Sequence, residues 1–276
     1  MTRVLVFDSG VGGLSVFDAI SRAGLALELD YVADNAWLPY GLKPDAALKA
    51  RVPALLAALA AQWSPDAVVI ACNTASTIAL DEVRAALSIP VVGVVPPIKP
   101  AAALTKTGVI GVLATPATVR RPYTDDLIAK FANGTRVVRF GSAALVAAAE
   151  QKLRGEAVAT DAIAEAIDGL FGATGDADVD VVALACTHFP LLAHELGAAA
   201  PRACSWLDSG DAIARRVAQV LNVPLGVAQI RRVAFTDADA ARALYAAFAT
   251  RGFESVARVG NAPSFDVTAI TPIARS

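Results

Sequence analysis

Runs of β-branched residues alternate with alanine-rich segments along nearly all of this 276-residue chain, and no other feature limits its fold as strongly. Strands are expected near 3–7, 28–33, 66–71, 91–95, 107–114, 135–140, 178–185, 204–207 and 231–236. Helices are expected near 13–23, 45–61, 75–87, 117–131, 142–152, 156–171, 189–197, 209–221 and 238–250. Strand–helix order of this kind builds βαβ units, which place mostly parallel strands under helices on both faces. The fold class is therefore α/β.

The chain is longer than one typical domain, so two doubly wound domains fit it better than one. Val95-Pro96-Pro97-Ile98-Lys99-Pro100 is read as a hinge, because its prolines exclude both an interior strand and a regular helix. The first domain is then 1–96 plus 207–276, with the last segment returned to it, and the second is 97–206. Asp8-Ser9-Gly10 recurs as Asp208-Ser209-Gly210, a loose repeat whose plain alternative is a helix N-cap.

Composition narrows the function. Hydrophobic residues make up 55% and charged residues 18%, as in a chain with a well-buried core. A net charge of −2 gives no basic footprint for nucleic acid or a membrane surface. No apolar run reaches membrane-spanning length, and Met1–Asp8 turns acidic without a signal-peptide core. Three cysteines without disulfide-like spacing suit a reducing cytoplasm. The two histidines, His188 and His194, lack metal-site spacing, so no metal is expected.

Four strand-to-helix turns carry chemistry. Phe7-Asp8-Ser9-Gly10-Val11-Gly12-Gly13-Leu14 opens a helix with glycines whose N–H groups suit a small carboxylate. Its spacing is not a dinucleotide fingerprint. Asp8 itself would accept a proton or orient a cation, unless it and Ser9 simply cap the helix. Asp34-Asn35-Ala36-Trp37-Leu38-Pro39-Tyr40-Gly41 could wall a pocket or be an ordinary loop. The other two turns hold thiols. Val68-Val69-Ile70-Ala71-Cys72-Asn73-Thr74 and Val181-Val182-Ala183-Leu184-Ala185-Cys186-Thr187-His188 are near-duplicates that each deliver a cysteine to a strand's C-terminal end, where open α/β sheets bind ligands. A helix N-terminus favours a thiolate, and His188 can relay protons for Cys186. A single buried cysteine is more often inert packing, which is the reading for Cys204; His194 is expected to face solvent.

With these residues in hand, the chain resembles the glutamate racemases of the cofactor-independent aspartate/glutamate racemase superfamily, up to about residue 222. The landmarks are Phe7–Leu14, Pro39-Tyr40-Gly41, Ala71-Cys72-Asn73-Thr74-Ala75 and Ala185-Cys186-Thr187-His188-Phe189-Pro190-Leu191-Leu192. The resemblance implies two α/β domains related by a pseudo-twofold, with the active site in the cleft between them. It implies interconversion of L- and D-glutamate for peptidoglycan precursors, with Cys72 and Cys186 as acid/bases that act on D- and L-glutamate respectively. Asp8 and His188 match groups that tune the thiols. Asp8, Ser9, Tyr40, Gly41, Asn73, Thr74, Thr187 and His188 match substrate-binding positions. Asp34, Glu150, Thr115 and Thr118 resemble secondary site positions. One departure is the Val94–Pro100 segment, where many relatives carry a glutamate.

Two opposed thiols suffice for racemisation, one removing the α-proton and one returning it, so neither pyridoxal phosphate nor a metal is expected. The partner is the small-molecule substrate, and a homodimer is compatible with the resemblance. Aspartate or another superfamily racemase is the near alternative. A non-catalytic two-lobed amino-acid binder and a dithiol redox protein are the distant ones.

Overall fold

In the computed structural model, residues 1–172 and 178–273 are described. They divide into two compact units: 1–94 with 210–273, and 95–172 with 178–209.

The first unit is organised by a strand so apolar that it can sit only at a sheet centre. β1 (Thr2–Asp8) is flanked by β2 (Leu27–Ala33) and β3 (Ala67–Ile70), all parallel. Val4, Leu5, Val6 and Phe7 are wholly buried, each side chain of that size contributing about 1.5–3 kcal/mol on burial. The sheet continues through β4 (Val91–Gly93) beyond β3. On the other side lie β9 (Gln229–Phe235), β10 (Ser255–Val259) and β11 (Val267–Pro272), giving the order β11-β10-β9-β2-β1-β3-β4. Among the described strands of this sheet the β10–β11 pair is antiparallel and the others are parallel. Helices α1 (Leu14–Ser21), α2 (Asp45–Trp63), α3 (Asn73–Ala86), α10 (Gly210–Leu221) and α11 (Tyr245–Ala249) belong to this unit.

In the second unit, β5 (Val109–Ala114), β6 (Arg136–Gly141), β7 (Val181–Leu184) and β8 (Ser205–Leu207) form an all-parallel sheet in the order β6-β5-β7-β8. Its helices are α4 (Ile98–Leu104), α5 (Pro116–Val119), α6 (Pro122–Phe131), α7 (Ala144–Leu153), α8 (Thr160–Phe171) and α9 (Ala193–Ala199). The mostly parallel α/β architecture is as expected from the alternation.

Several local expectations are corrected. Val95–Pro100 is not barred from helix, because α4 starts at Ile98 and puts Pro100 in its first turn, where a missing N–H costs no hydrogen bond. The helix expected over 117–131 is two, α5 and α6, since Pro122 starts a new one. The segment at 189–197 opens as the 3₁₀ turn Phe189–Leu192, and the one at 238–250 becomes helical only from the 3₁₀ turn Arg242–Leu244. Strands β10 and β11 had no counterpart in the sequence reading. Ser209 donates its hydroxyl to the Val95 carbonyl at 2.7 Å.

Candidate active site

Both sheets run out of the same kind of position. In each, the first strand is central and the chain places the second strand on one side of it and the third on the other. The crevice at such a reversal, beyond the strands' C-terminal ends, is where open α/β sheets take ligands. In the first unit the reversal lies between β1 and β3, and in the second between β5 and β7. Phe7 pairs with Ile70, and the Ala71 N–H donates to the Phe7 carbonyl at 2.7 Å. Leu113 pairs with Leu184, and the Ala185 N–H donates to the Leu113 carbonyl at 2.8 Å. In each unit a cysteine, Cys72 or Cys186, follows two residues after the last paired position of the third strand. The duplication read from sequence is thus a duplication of register.

In the first unit, Cys72 is the N-cap residue of α3 and is buried, at the helix end whose dipole favours negative charge. Its sulfur lies 3.5 Å from the Ser9 hydroxyl. The glycine turn is not left open to an anion, as the sequence had suggested. Asp8 Oδ2 accepts the N–H groups of Gly10 at 3.2 Å and Gly13 at 2.9 Å. The Tyr31 hydroxyl secures the same turn by donating to the Gly10 carbonyl at 3.0 Å. Asn73, Thr74 and Ser76 are buried beside Cys72, and among the described residues the Asn73 side-chain oxygen has no hydrogen-bond partner.

Asp34 ends up deeper than a pocket wall. Its carboxylate is fully buried and accepts four hydrogen bonds, from Arg51 Nε and Nη2 at 2.7 Å each, the Tyr40 hydroxyl at 2.6 Å and the Thr236 hydroxyl at 2.9 Å. Burial together with the Asp34 charge pushes the Tyr40 phenol well above its ordinary value, so Tyr40 stays a donor. Gly41 continues the 3₁₀ turn Tyr40–Leu42, which packs on α3.

In the second unit, Cys186 Sγ lies 3.9 Å from His188 Nδ1, and His188 Nε2 lies 3.0 Å from Glu150 Oε1 on α7. All three side chains are buried, and Thr187 is buried with them. Burial alone would drive the imidazole neutral. Hydrogen bonds to Cys186 and Glu150, and the negative charge there, outweigh it and hold His188 well above its ordinary pKa. Lys152, also on α7, donates to the Leu191 carbonyl at 2.8 Å and pairs with Glu195, tying α7 to the turn that follows His188. Thr115 and Thr118 close on each other: Thr115 Oγ1 accepts the Thr118 N–H at 3.3 Å and the two hydroxyls are 3.0 Å apart. Thr115 thereby caps α5.

Within the first unit the structure joins Cys72 to Ser9, and Asp34 to Tyr40. Within the second it joins Cys186, His188 and Glu150. His194 is exposed. Cys204 is half-buried, and burial followed by the Asp180 charge pushes its thiol to about 11. Sequence reasoning missed Arg51 and Thr236. Arg51 had a visible signal, a lone charge in the apolar helical stripe Leu48, Val52, Leu55, Leu59, whereas Thr236 had none. No group of three or more His, Cys, Asp or Glu side chains that could hold a metal is present among the described residues. No described helix is long and apolar enough to cross a membrane.

Comparison with known proteins matches residues 12–217 to the Asp/Glu/hydantoin racemase family. The chain is 54% identical over 217 residues to the glutamate racemase of Sphingopyxis alaskensis, covering 79% of this chain and 81% of that one. It is 51% identical to the Vibrio campbellii glutamate racemase, covering 79% and 80%. Among solved structures it is similar to Escherichia coli glutamate racemase in complex with L-glutamate and the activator UDP-MurNAc-Ala. That match has a TM-score of 0.87 and 41% identity, covering 97% of this chain and 99% of that one.

Proposed function

The chain belongs to the Asp/Glu/hydantoin racemase family, and from that premise we propose that it is a glutamate racemase that uses Cys72 and Cys186 as its two acid/bases. The observation that carries the reading is the matched register: each sheet reversal ends in a buried thiol at the same position relative to its central strand. A racemase needs two such groups, because mirror-image substrates must each find a base on one face and an acid on the other.

In one direction the Cys72 thiolate takes the α-proton of D-glutamate and the Cys186 thiol returns a proton to the opposite face. In the other direction the roles exchange. The carbanion's charge spreads into the α-carboxylate, where fixed donors stabilise it. Asn73, Thr74, Thr187 and Ser9 are the donors this reading assigns, and all four are buried at these turns. Asp8 holds the glycine turn beside Ser9, and His188 with Glu150 serves Cys186 as acid/base support. Thr115 and Thr118, paired at the end of β5, border the Cys186 side.

No pyridoxal phosphate or metal enters this scheme. The same reading carries a cytoplasmic role in supplying D-glutamate for peptidoglycan and a homodimeric assembly, which light scattering tests. The decisive measurement is α-proton exchange in D₂O followed by NMR, with L-glutamate, D-glutamate and L-aspartate. Wild-type protein without added cofactor exchanges both glutamate enantiomers, and Cys72→Ala and Cys186→Ala each abolish racemisation in both directions. Full racemisation by either single variant refutes the two-thiol scheme, and preference for aspartate moves the chain to its sibling activity.

A further inference from the structure

Cys186 has a buried imidazole–carboxylate pair beside it, and Cys72 has no histidine. We propose that Tyr40, Asp34 and Arg51 form the counterpart on the Cys72 side, with Arg51 a positioning residue whose cation neutralises Asp34 so that a second negative charge can form on Cys72. The proposal rests on the reading of Cys72 as an acid/base.

The geometry is a hydrogen-bonded chain, Arg51 to Asp34 to Tyr40, whose last member shares a buried cluster with Cys72. Arg51 grips both Asp34 oxygens at 2.7 Å, and Asp34 accepts the Tyr40 hydroxyl at 2.6 Å. Tyr40 and Cys72 lie in one buried cluster, and the Tyr40–Leu42 turn packs against the helix that Cys72 caps. The Arg51 guanidinium is itself held between two rings, its carbon 4.5 Å from the Trp37 centroid and 5.1 Å from that of Phe265, a geometry a planar cation satisfies well. Thr236 adds the fourth bond to Asp34 and also receives the Ala36 N–H at 3.0 Å, while Asn35 exchanges two hydrogen bonds with the Asp237 backbone. Thr236 and Phe265 lie past residue 217, where the family match ends. Residues past the end of that match therefore contribute to this cluster.

Charge decides what it does. The charged and titratable groups of this cluster and its packed elements are Asp34 after β2, Tyr40 on its turn, Arg51 on α2 and Cys72 after β3, with Asp8 at the end of β1 turned to the glycine N–H groups. Lys43 Nζ lies over the Trp37 ring at 5.6 Å, and the Asp237 carboxylate accepts the Ala240 N–H. Arg51 is the cation among them in direct contact with Asp34. Without it, the Asp34 carboxylate opposes ionisation of Cys72 as a like charge.

The test is the pH profile of kcat/KM in both directions for wild type, Arg51→Met, Arg51→Lys, Asp34→Asn and the double variant Arg51→Met/Asp34→Asn. Arg51→Met is expected to move the Cys72 limb upward by about one pH unit. That limb is the acidic one with D-glutamate, where Cys72 is the base, and the alkaline one with L-glutamate, where it is the acid. Asp34→Asn moves the same limbs downward, the double variant returns them to near the wild-type position, and Arg51→Lys keeps them there. If Arg51→Met does not fold, Asp34→Asn and the double variant carry the same sign test. In a protein that racemises glutamate, limbs that stay put, limbs of both thiols moving together, or a double variant that keeps the Arg51→Met shift would overturn the proposal alone. A wild-type protein that exchanges neither glutamate enantiomer instead removes the acid/base reading of Cys72 on which it rests.

Discussion

Replacing Glu150 with glutamine isolates one of the two partners that raise His188, the other being Cys186, because glutamine keeps the length and an acceptor oxygen but not the negative charge. The His188 Nε2 to Glu150 Oε1 distance is 3.0 Å, and both side chains are buried. At that separation and an effective dielectric near 20, the gross attraction is roughly 5 kcal/mol. Desolvation of two buried ions cancels much of it, leaving about 1.5–3 kcal/mol, the usual worth of a hydrogen bond to a charged group. That corresponds to a fall of about one to two pH units in the His188 titration.

Histidine ¹⁵N NMR against pH reads this directly, since the chain has two histidines and His194→Gln assigns them. The same change has a defined stability signature. His188 is raised in the folded protein, so its contribution to stability is fully present below the unfolded value of about 6.5 and is lost as pH rises through the folded one. Wild type should therefore exceed Glu150→Gln in thermal stability at mildly acidic pH, with the gap closing at alkaline pH. An unshifted His188 titration in the variant, or a gap that widens with pH, refutes the reasoning.

Two further outcomes follow from close packing and burial. Gly13→Ala should cost about 1–3 kcal/mol in chemical denaturation, because an added Cβ would meet Asp8 Cβ and the Tyr31 hydroxyl at 2.8 Å; racemisation should fall with it, as the Asp8 turn shifts beside Ser9. Cys204 should be alkylated by iodoacetamide at neutral pH roughly a hundredfold more slowly than free cysteine, measured by mass spectrometry in a Cys72→Ala/Cys186→Ala background, since its thiol sits near 11.

The two strand-end thiols were legible in the sequence because period and position are local properties. A β-branched run followed by Cys-Asn-Thr or Cys-Thr-His fixes a buried strand and a residue at its exit. His188 could be paired with Cys186 for the same reason, being two residues away. Glu150 could be suspected only through resemblance, since it reaches His188 from 38 positions off.

What the sequence determined alone was the α/β class, the parallel strands and the delivery of both cysteines to strand ends, each dictated by short-range patterning. What the tertiary structure decided was who stands beside them. Asp8 satisfies its own glycine turn, Asp34 is clamped by Arg51 and Thr236 from 17 and 202 positions away, and β10 and β11 extend the first sheet. Those outcomes depend on which polar groups lose water together when distant segments pack, and a buried carboxylate takes whichever cation and hydroxyls the fold brings within reach. The linear chain encodes that choice only through the packing of the whole unit, and Arg51, a single charge on an apolar helical stripe, was the one trace of it visible beforehand.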